Sequence, residues 1–227
     1  MLAETGDSTE QESRIAGTEG DPDTLPEASA FGAAGDSVAL LAEAVRVLET
    51  MSASSYSHRT HISNGEYDVD CSGFVDWLLG RVNKAALAEL QSLSVKRPLA
   101  KHFVAMLATA QPKVHWSRVL TVSELASGDL IAWDKPADVI SSNTGHVMLV
   151  AAKPRFERAG RWAIPIIDSS ASAHGARDAR HASHATGIGR ATIVLETSAG
   201  GEPIAYHWST AKTSLRHDTR LVLGRIH

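Results

Sequence analysis

The sequence holds one cysteine, Cys71, in the run Asp70-Cys71-Ser72-Gly73-Phe74, where a polar stretch meets the start of an apolar helical pattern. A helix N-terminus presents unpaired N–H groups and about half a positive charge, which stabilises a thiolate. The same N–H groups can hold the oxyanion that forms when a thiolate attacks a carbonyl. A lone cysteine is otherwise a small buried hydrophobe, so the chemical reading needs a base and a group that orients the base. A single cysteine also excludes an intrachain disulfide and a Cys-rich zinc site.

His146 is the candidate base. It opens the run His146-Val147-Met148-Leu149-Val150-Ala151-Ala152, directly after the turn-like Ser141-Ser142-Asn143-Thr144-Gly145. A second run, Trp162 to Asp168, ends in Ile166-Ile167-Asp168 before another polar stretch. If the two runs form a hairpin that pairs Ala152 with Trp162, Asp168 falls directly opposite His146. Opposed residues of an antiparallel pair share a face with Cβ atoms roughly 4.5–5.5 Å apart. A carboxylate there can accept the imidazole N–H, fix the tautomer and complete a nucleophile–base–orienter triad. The plainer alternatives are a hydrogen-bonded strand-end histidine and a turn-forming carboxylate.

These three residues must be positioned by two kinds of element. Leu41, Ala44, Val45 and Leu48 repeat at i, i+3, i+4 and i+7, which predicts a helix to about Met51. Val75, Leu78, Leu79 and Val82 repeat the spacing and predict a helix that begins near Cys71. Leu99, Phe103, Met106 and Leu107 define a third, between Pro98 and Pro112. The intervening segment Ser52 to Asp70 lacks periodicity and is expected to be a long surface loop. The second half changes character, with β-branched or aromatic runs at 129–134, 146–152, 162–168, 190–195, 203–208 and 219–226. Helices first and strands later predict an α+β domain with a largely antiparallel sheet.

Residues 1–35 are rich in Glu, Asp, Gly, Ser, Thr and Pro and are expected to be a disordered acidic tail, leaving 36–227 as one domain. Residues 1–36 hold nine acids against Arg14, so a chain of net charge -4 leaves a mildly basic remainder. That remainder has no Lys/Arg run with interleaved aromatics, which argues against nucleic acid. No apolar run approaches the ~18 residues of a membrane helix, and the N-terminus lacks the basic and apolar regions of an export signal. A soluble monomer is expected, in an undetermined compartment.

Three blocks carry a resemblance: Asp70-Cys71-Ser72-Gly73-Phe74-Val75, Gly128-Asp129-Leu130-Ile131, and Gly145-His146-Val147. In this order they resemble the NlpC family of cell-wall cysteine peptidases, over about residues 37–170. The resemblance implies a papain-like fold and cleavage of amide bonds in peptidoglycan stem peptides, with no metal and no organic cofactor. Position by position, Cys71 matches the nucleophile, His146 the base, and Asp168 the third polar position, which in the family is often histidine. Tyr56 looks like the tyrosine that lines the substrate site. Asp70, beside the nucleophile, matches an acid that meets a free peptide amine, and Ser72 adjoins it; an acid before a helix is also a common N-cap. The chain departs from the family in Ser57 to Gly65, where members have a Gly-Gly turn, and in the long separation of Cys71 from His146.

His174, Asp178, His181 and His184 form a further polar cluster, of which a helix would gather His174, Asp178 and His181 on one face for zinc. The stretch has few apolar residues to anchor a helix, so a solvated loop near the site is expected, with Arg177 and Arg180 solvated and His174 an alternative orienter to Asp168. Besides a peptidoglycan amidase or endopeptidase, a papain-like thiol enzyme on another substrate (a secreted effector, deamidase or acyltransferase) and an inactive binding module fit these residues.

Overall fold

The helical stripes and apolar runs are realised in a computed structural model that describes residues 35–94, 97–109, 115–135, 144–158 and 160–227. The acidic tail therefore lies outside the described residues, apart from Gly35, the N-cap of the first helix. Four α-helices fall between Asp36 and Ala108: α1 (Asp36–Thr50), α2 (Cys71–Val82), α3 (Lys84–Gln91) and α4 (Ala100–Ala108). Three short strands, β1 (Ala53–Ser55), β2 (His61–Ser63) and β3 (Glu66–Asp68), precede α2. The remainder is mostly strand: β4 (Trp116–Val119), β5 (Leu130–Asp134), β6 (Gly145–Val150), β7 (Arg155–Arg158), β8 (Arg161–Ser170), β9 (Gly187–Thr197), β10 (Pro203–His207), β11 (His217–Asp218) and β12 (Leu221–Ile226). The chain is thus of mixed α+β class, dominated by one large antiparallel sheet of order β11-β10-β9-β8-β6-β5-β12-β4, with β7 paired to β8.

Strand alternation gives this sheet two apolar faces. Leu130, Ala132, Val147, Leu149, Ile167 and Val222 point to one side, where Leu41, Phe74, Leu78, Phe103 and Leu107 of the helices meet them. Ile131, Met148, Val150, Ile164, Ile193 and Leu223 point to the other. Among the described residues no α-helix contributes to that second core; Val122 and Leu125 pack into it from the segment between β4 and β5, and β10 approaches β12. Strands buried on both faces read as continuous apolar runs, which is why 146–152 shows no polar alternation. Among the described residues no helix is long and apolar enough to cross a membrane.

Four expectations are corrected. The segment Ser52 to Asp70 is not a featureless loop but the three-stranded sheet β1-β3-β2, too short in each strand to show a period. The hairpin partner of β8 is β7, not β6, because β7 occupies the intervening chain and pairs Phe156 with Trp162. The β6–β8 register is displaced by two residues: Leu149 faces Ile167, where the sequence reading places Pro165. A two-residue shift conserves side-chain parity, so His146 and Asp168 still share a face, as diagonal rather than direct neighbours. Fourth, the stretch 174–184 is solvated only in part: His174, Asp178 and Arg180 are buried, whereas Arg177, His181 and His184 are exposed as expected.

Candidate active site

Helix α2 begins at Cys71 because Asp70 caps it, its Oδ1 accepting from Gly73 N at 2.7 Å. Cys71 is 4% exposed, at the boundary between α2 and the sheet. Among the described residues the N–H groups of Cys71 and Ser72 have no hydrogen-bond partner, leaving two donors at the positive end of the helix.

His146 is the second residue of β6 and stands opposite Trp133 of β5. Gly145 before it has φ +137°, and a Cβ there would lie 2.0 Å from the Trp133 carbonyl oxygen, so the strand can start at this point only on glycine. The β6–β8 ladder is confined to Leu149↔Ile167 and Val150↔Ile166. The last residues of β8 instead approach the chain leading into α2, where Ser169 Oγ donates to Val69 O at 2.6 Å. That contact brings Asp168 and the start of α2 together at one end of the sheet.

There His146 Nε2 lies 2.6 Å from Asp168 Oδ2, and Cys71 lies near enough for its charge to act on the His146 ring. With Nε2 turned to Asp168, Nδ1 is the nitrogen left for the sulfur. Burial by itself pushes the imidazole down, but the Cys71 charge and the bond to Asp168 outweigh it and carry His146 up to about 10. Burial likewise opposes ionisation of Asp168, which is 1% exposed. The charge and hydrogen bond of His174, the hydrogen bond of His146 and the charge of Arg180 override burial and hold Asp168 well below the usual carboxylate range. An ionised carboxylate only accepts, so each histidine donates to it.

The structure therefore brings Cys71, His146 and Asp168 together, and Tyr56 with them. The Tyr56 phenol is pushed up by burial and by the charges of Cys71 and Asp70, and its backbone N donates to Thr186 Oγ1 at 3.1 Å. Asp70 and Ser72 are engaged with each other and with the helix. Ser72 Oγ donates to Asp70 Oδ1 at 3.0 Å and accepts from Arg97 Nη1 at 2.9 Å. Arg97 Nη2 and His58 Nδ1 reach Asp70 Oδ2. Burial raises Asp70, and the bonds from Arg97, Gly73 and His58 bring it below its ordinary value.

Sequence reasoning named His174 as a candidate zinc ligand and as an alternative orienter, and the structure places it alongside His146 on Asp168. His174 Nε2 is 2.7 Å from the same Asp168 Oδ2, and Arg180 Nη2 is 2.9 Å from Oδ1. Trp208, one of five tryptophans, stacks on His174 (centroids 4.5 Å, 11°) and turns its edge to His146 (5.4 Å, 84°). The signal in the chain was His174-Gly175-Ala176-Arg177-Asp178-Ala179-Arg180, legible as polar residues but not as buried ones.

His146, Asp168 and His174 are also the described group whose donor atoms lie close enough together for a metal. Their spacing does not fit one: ligands about 2.0–2.1 Å from a tetrahedral zinc stand more than about 3 Å apart, whereas both imidazole nitrogens lie within 2.7 Å of the carboxylate oxygen. The zinc cluster weighed from sequence is not assembled either, since Asp178 binds Arg180 and His181 and His184 face solvent. No protein-family model matches the chain, and no curated protein or solved structure matches it.

Proposed function

We infer that the chain is a cysteine hydrolase acting on amide bonds, with Cys71 as nucleophile, His146 as general base and acid, and Asp168 as the orienting carboxylate. One observation carries this reading: a buried imidazole bonded to an ionised carboxylate, with the charge of the sole thiol acting on the same ring. Packing alone does not call for this combination, because burying two charges and a thiol together is costly unless each is compensated. The helix-borne cysteine set against sheet-borne histidine and aspartate supports a papain-like arrangement, and the NlpC-like blocks support peptidoglycan stem peptides as substrate.

In this mechanism the Cys71 thiolate attacks the amide carbonyl, and the N–H groups of Cys71 and Ser72 hold the resulting oxyanion. His146 Nδ1–H then protonates the departing amine. Water, deprotonated by His146, resolves the acyl-enzyme and frees the thiolate. Asp168 keeps Nε2 protonated throughout, so the reactive nitrogen always faces the sulfur.

Digestion of purified wall fragments by wild type and Cys71→Ala tests it: new amines should appear with the wild type alone, and none from either rejects the wall substrate. A second reading, a thiol enzyme on a different amide or thioester, is favoured by Asp70, whose carboxylate is already engaged by Gly73, Ser72, Arg97 and His58 rather than open to a substrate amine. Turnover on a broad amide and thioester panel, absent with wall fragments, would select it.

A further inference from the structure

His174, Arg180 and Asp178 lie outside the three residues assigned to the reaction, yet they close a ring of hydrogen bonds on Asp168. Asp168 Oδ1 accepts from Arg180 Nη2 at 2.9 Å; the same nitrogen donates to Asp178 Oδ2 at 2.7 Å. Asp178 Oδ2 also accepts from the His174 backbone N at 2.8 Å, and His174 Nε2 returns to Asp168 Oδ2 at 2.7 Å. All four residues are at most 4% exposed. The ring therefore fixes both oxygens of Asp168 and prevents the carboxylate from rotating.

Two further features hold the ring where it is. Trp208 covers the face of His174 and presents its edge to His146, so the two imidazoles are packed against one indole. Gly189, opposite Asp168 across the β8–β9 ladder, leaves the room that Arg180 occupies: a Cβ there would lie 2.6 Å from Arg180 Nε. Neutralising a buried carboxylate requires only the arginine. A second imidazole on the very oxygen that His146 uses is surplus to that need and bears on how His146 is held.

We propose that His174 is a positioning residue of this active site: it donates Nε2–H to Asp168 Oδ2 alongside His146, and with the Arg180–Asp178 strut it locks the carboxylate so that His146 Nδ1 stays on Cys71. This rests on the triad reading. When His146 is the imidazolium it takes the larger share of Oδ2. When it has given up its proton, the His174 bond keeps the oxygen in place for the next transfer.

Cys71 is the sole thiol, so its alkylation by iodoacetamide reports on the site without any substrate. Wild type, His174→Ala, His174→Gln and His146→Ala are compared across pH 5–10, with folding checked by circular dichroism. His174→Ala should slow alkylation at pH 7 by about tenfold and move the inflection of the pH profile, since small misplacements can cost up to about a hundredfold. His174→Gln, whose amide can donate to Oδ2, should restore most of both. A His174→Ala profile that superimposes on wild type while His146→Ala departs from it overturns the proposal alone. A loss that glutamine does not rescue, with an unmoved inflection, also overturns it by marking His174 as structural. If His146→Ala superimposes as well, the triad reading itself fails. Should His174→Ala not fold, imidazole ¹⁵N shifts of the wild type decide: a protonated His174 Nε2 at pH 7 is expected, and an unprotonated one ends the proposal.

Discussion

Two carboxylates in this molecule, Asp168 and the half-buried Asp76, meet opposite fates. Asp76, in the second turn of α2, has an Oδ1 fully buried without a hydrogen-bond partner. Burial and the Asp70 charge outweigh the pull of Arg97 and raise it to about 8, so at neutral pH it is largely protonated. Asp168 is buried more deeply and yet ionised, because His174, His146 and Arg180 are turned on it. Burial without hydrogen-bond donors, beside a like charge, therefore makes an acid neutral here, and the fold has gathered three donors where an adjacent imidazole needs a charge beside it. Asp76 shows what Asp168 would be without them.

The contrast is broken most severely by Asp168→Asn, which keeps the shape and removes the charge. Turnover should fall by roughly 10⁴-fold, as when a triad carboxylate is made neutral, measured as kcat/KM on whichever amide substrate the wild type cleaves. Asp168→Ala should destabilise the protein by about 3–5 kcal/mol in urea unfolding, since it strands the Arg180 and His174 donors in the interior. Because the folded Asp168 lies well below its ordinary 3.8, its contribution is present above that value and is lost as pH falls towards the depressed folded value.

Asp76→Asn should do the reverse. A carboxyl raised from 3.8 to about 8 gives full stability below 3.8 and loses it progressively until about pH 8. The asparagine variant should match wild type near pH 4 and exceed it by about 1–3 kcal/mol at pH 9, where a buried charge is relieved. In the pH–rate profile, the raised value of about 10 for His146 predicts an alkaline limb near pH 10. A limb near the ordinary 6.5 would show an imidazole without its partners. The smallest effect is expected for Arg97→Gln, whose partly exposed ion pair with Asp70 should be worth no more than about 1 kcal/mol.

How far the site was legible depends on how local its causes are. Cys71 at a helix start follows from the Asp70 cap and the Val75, Leu78, Leu79 stripe, all within a few residues, and those three are fully buried. The shared face of His146 and Asp168 was also legible, because parity survives a register error of two residues. The register itself was not, since β7 enters the connection and takes the pairing that a simple hairpin would give to β6. Strands of three or four residues such as β1, β2 and β4 are too short to carry a period, and α3 has only Ala86 and Leu90 buried.

The sequence by itself determined that one thiol stands at the start of a helix, that a histidine and an aspartate lie on strands of matching parity, and that the chain combines helices with a large antiparallel sheet. Only the tertiary structure decided that His174, Asp178 and Arg180 are interior rather than solvated. Their burial comes from contacts with β8, β9 and Trp208, not from any apolar neighbours in the chain. A polar segment with compensated charges has the same composition as a solvated one, and the difference lies in the partners that folding brings to it.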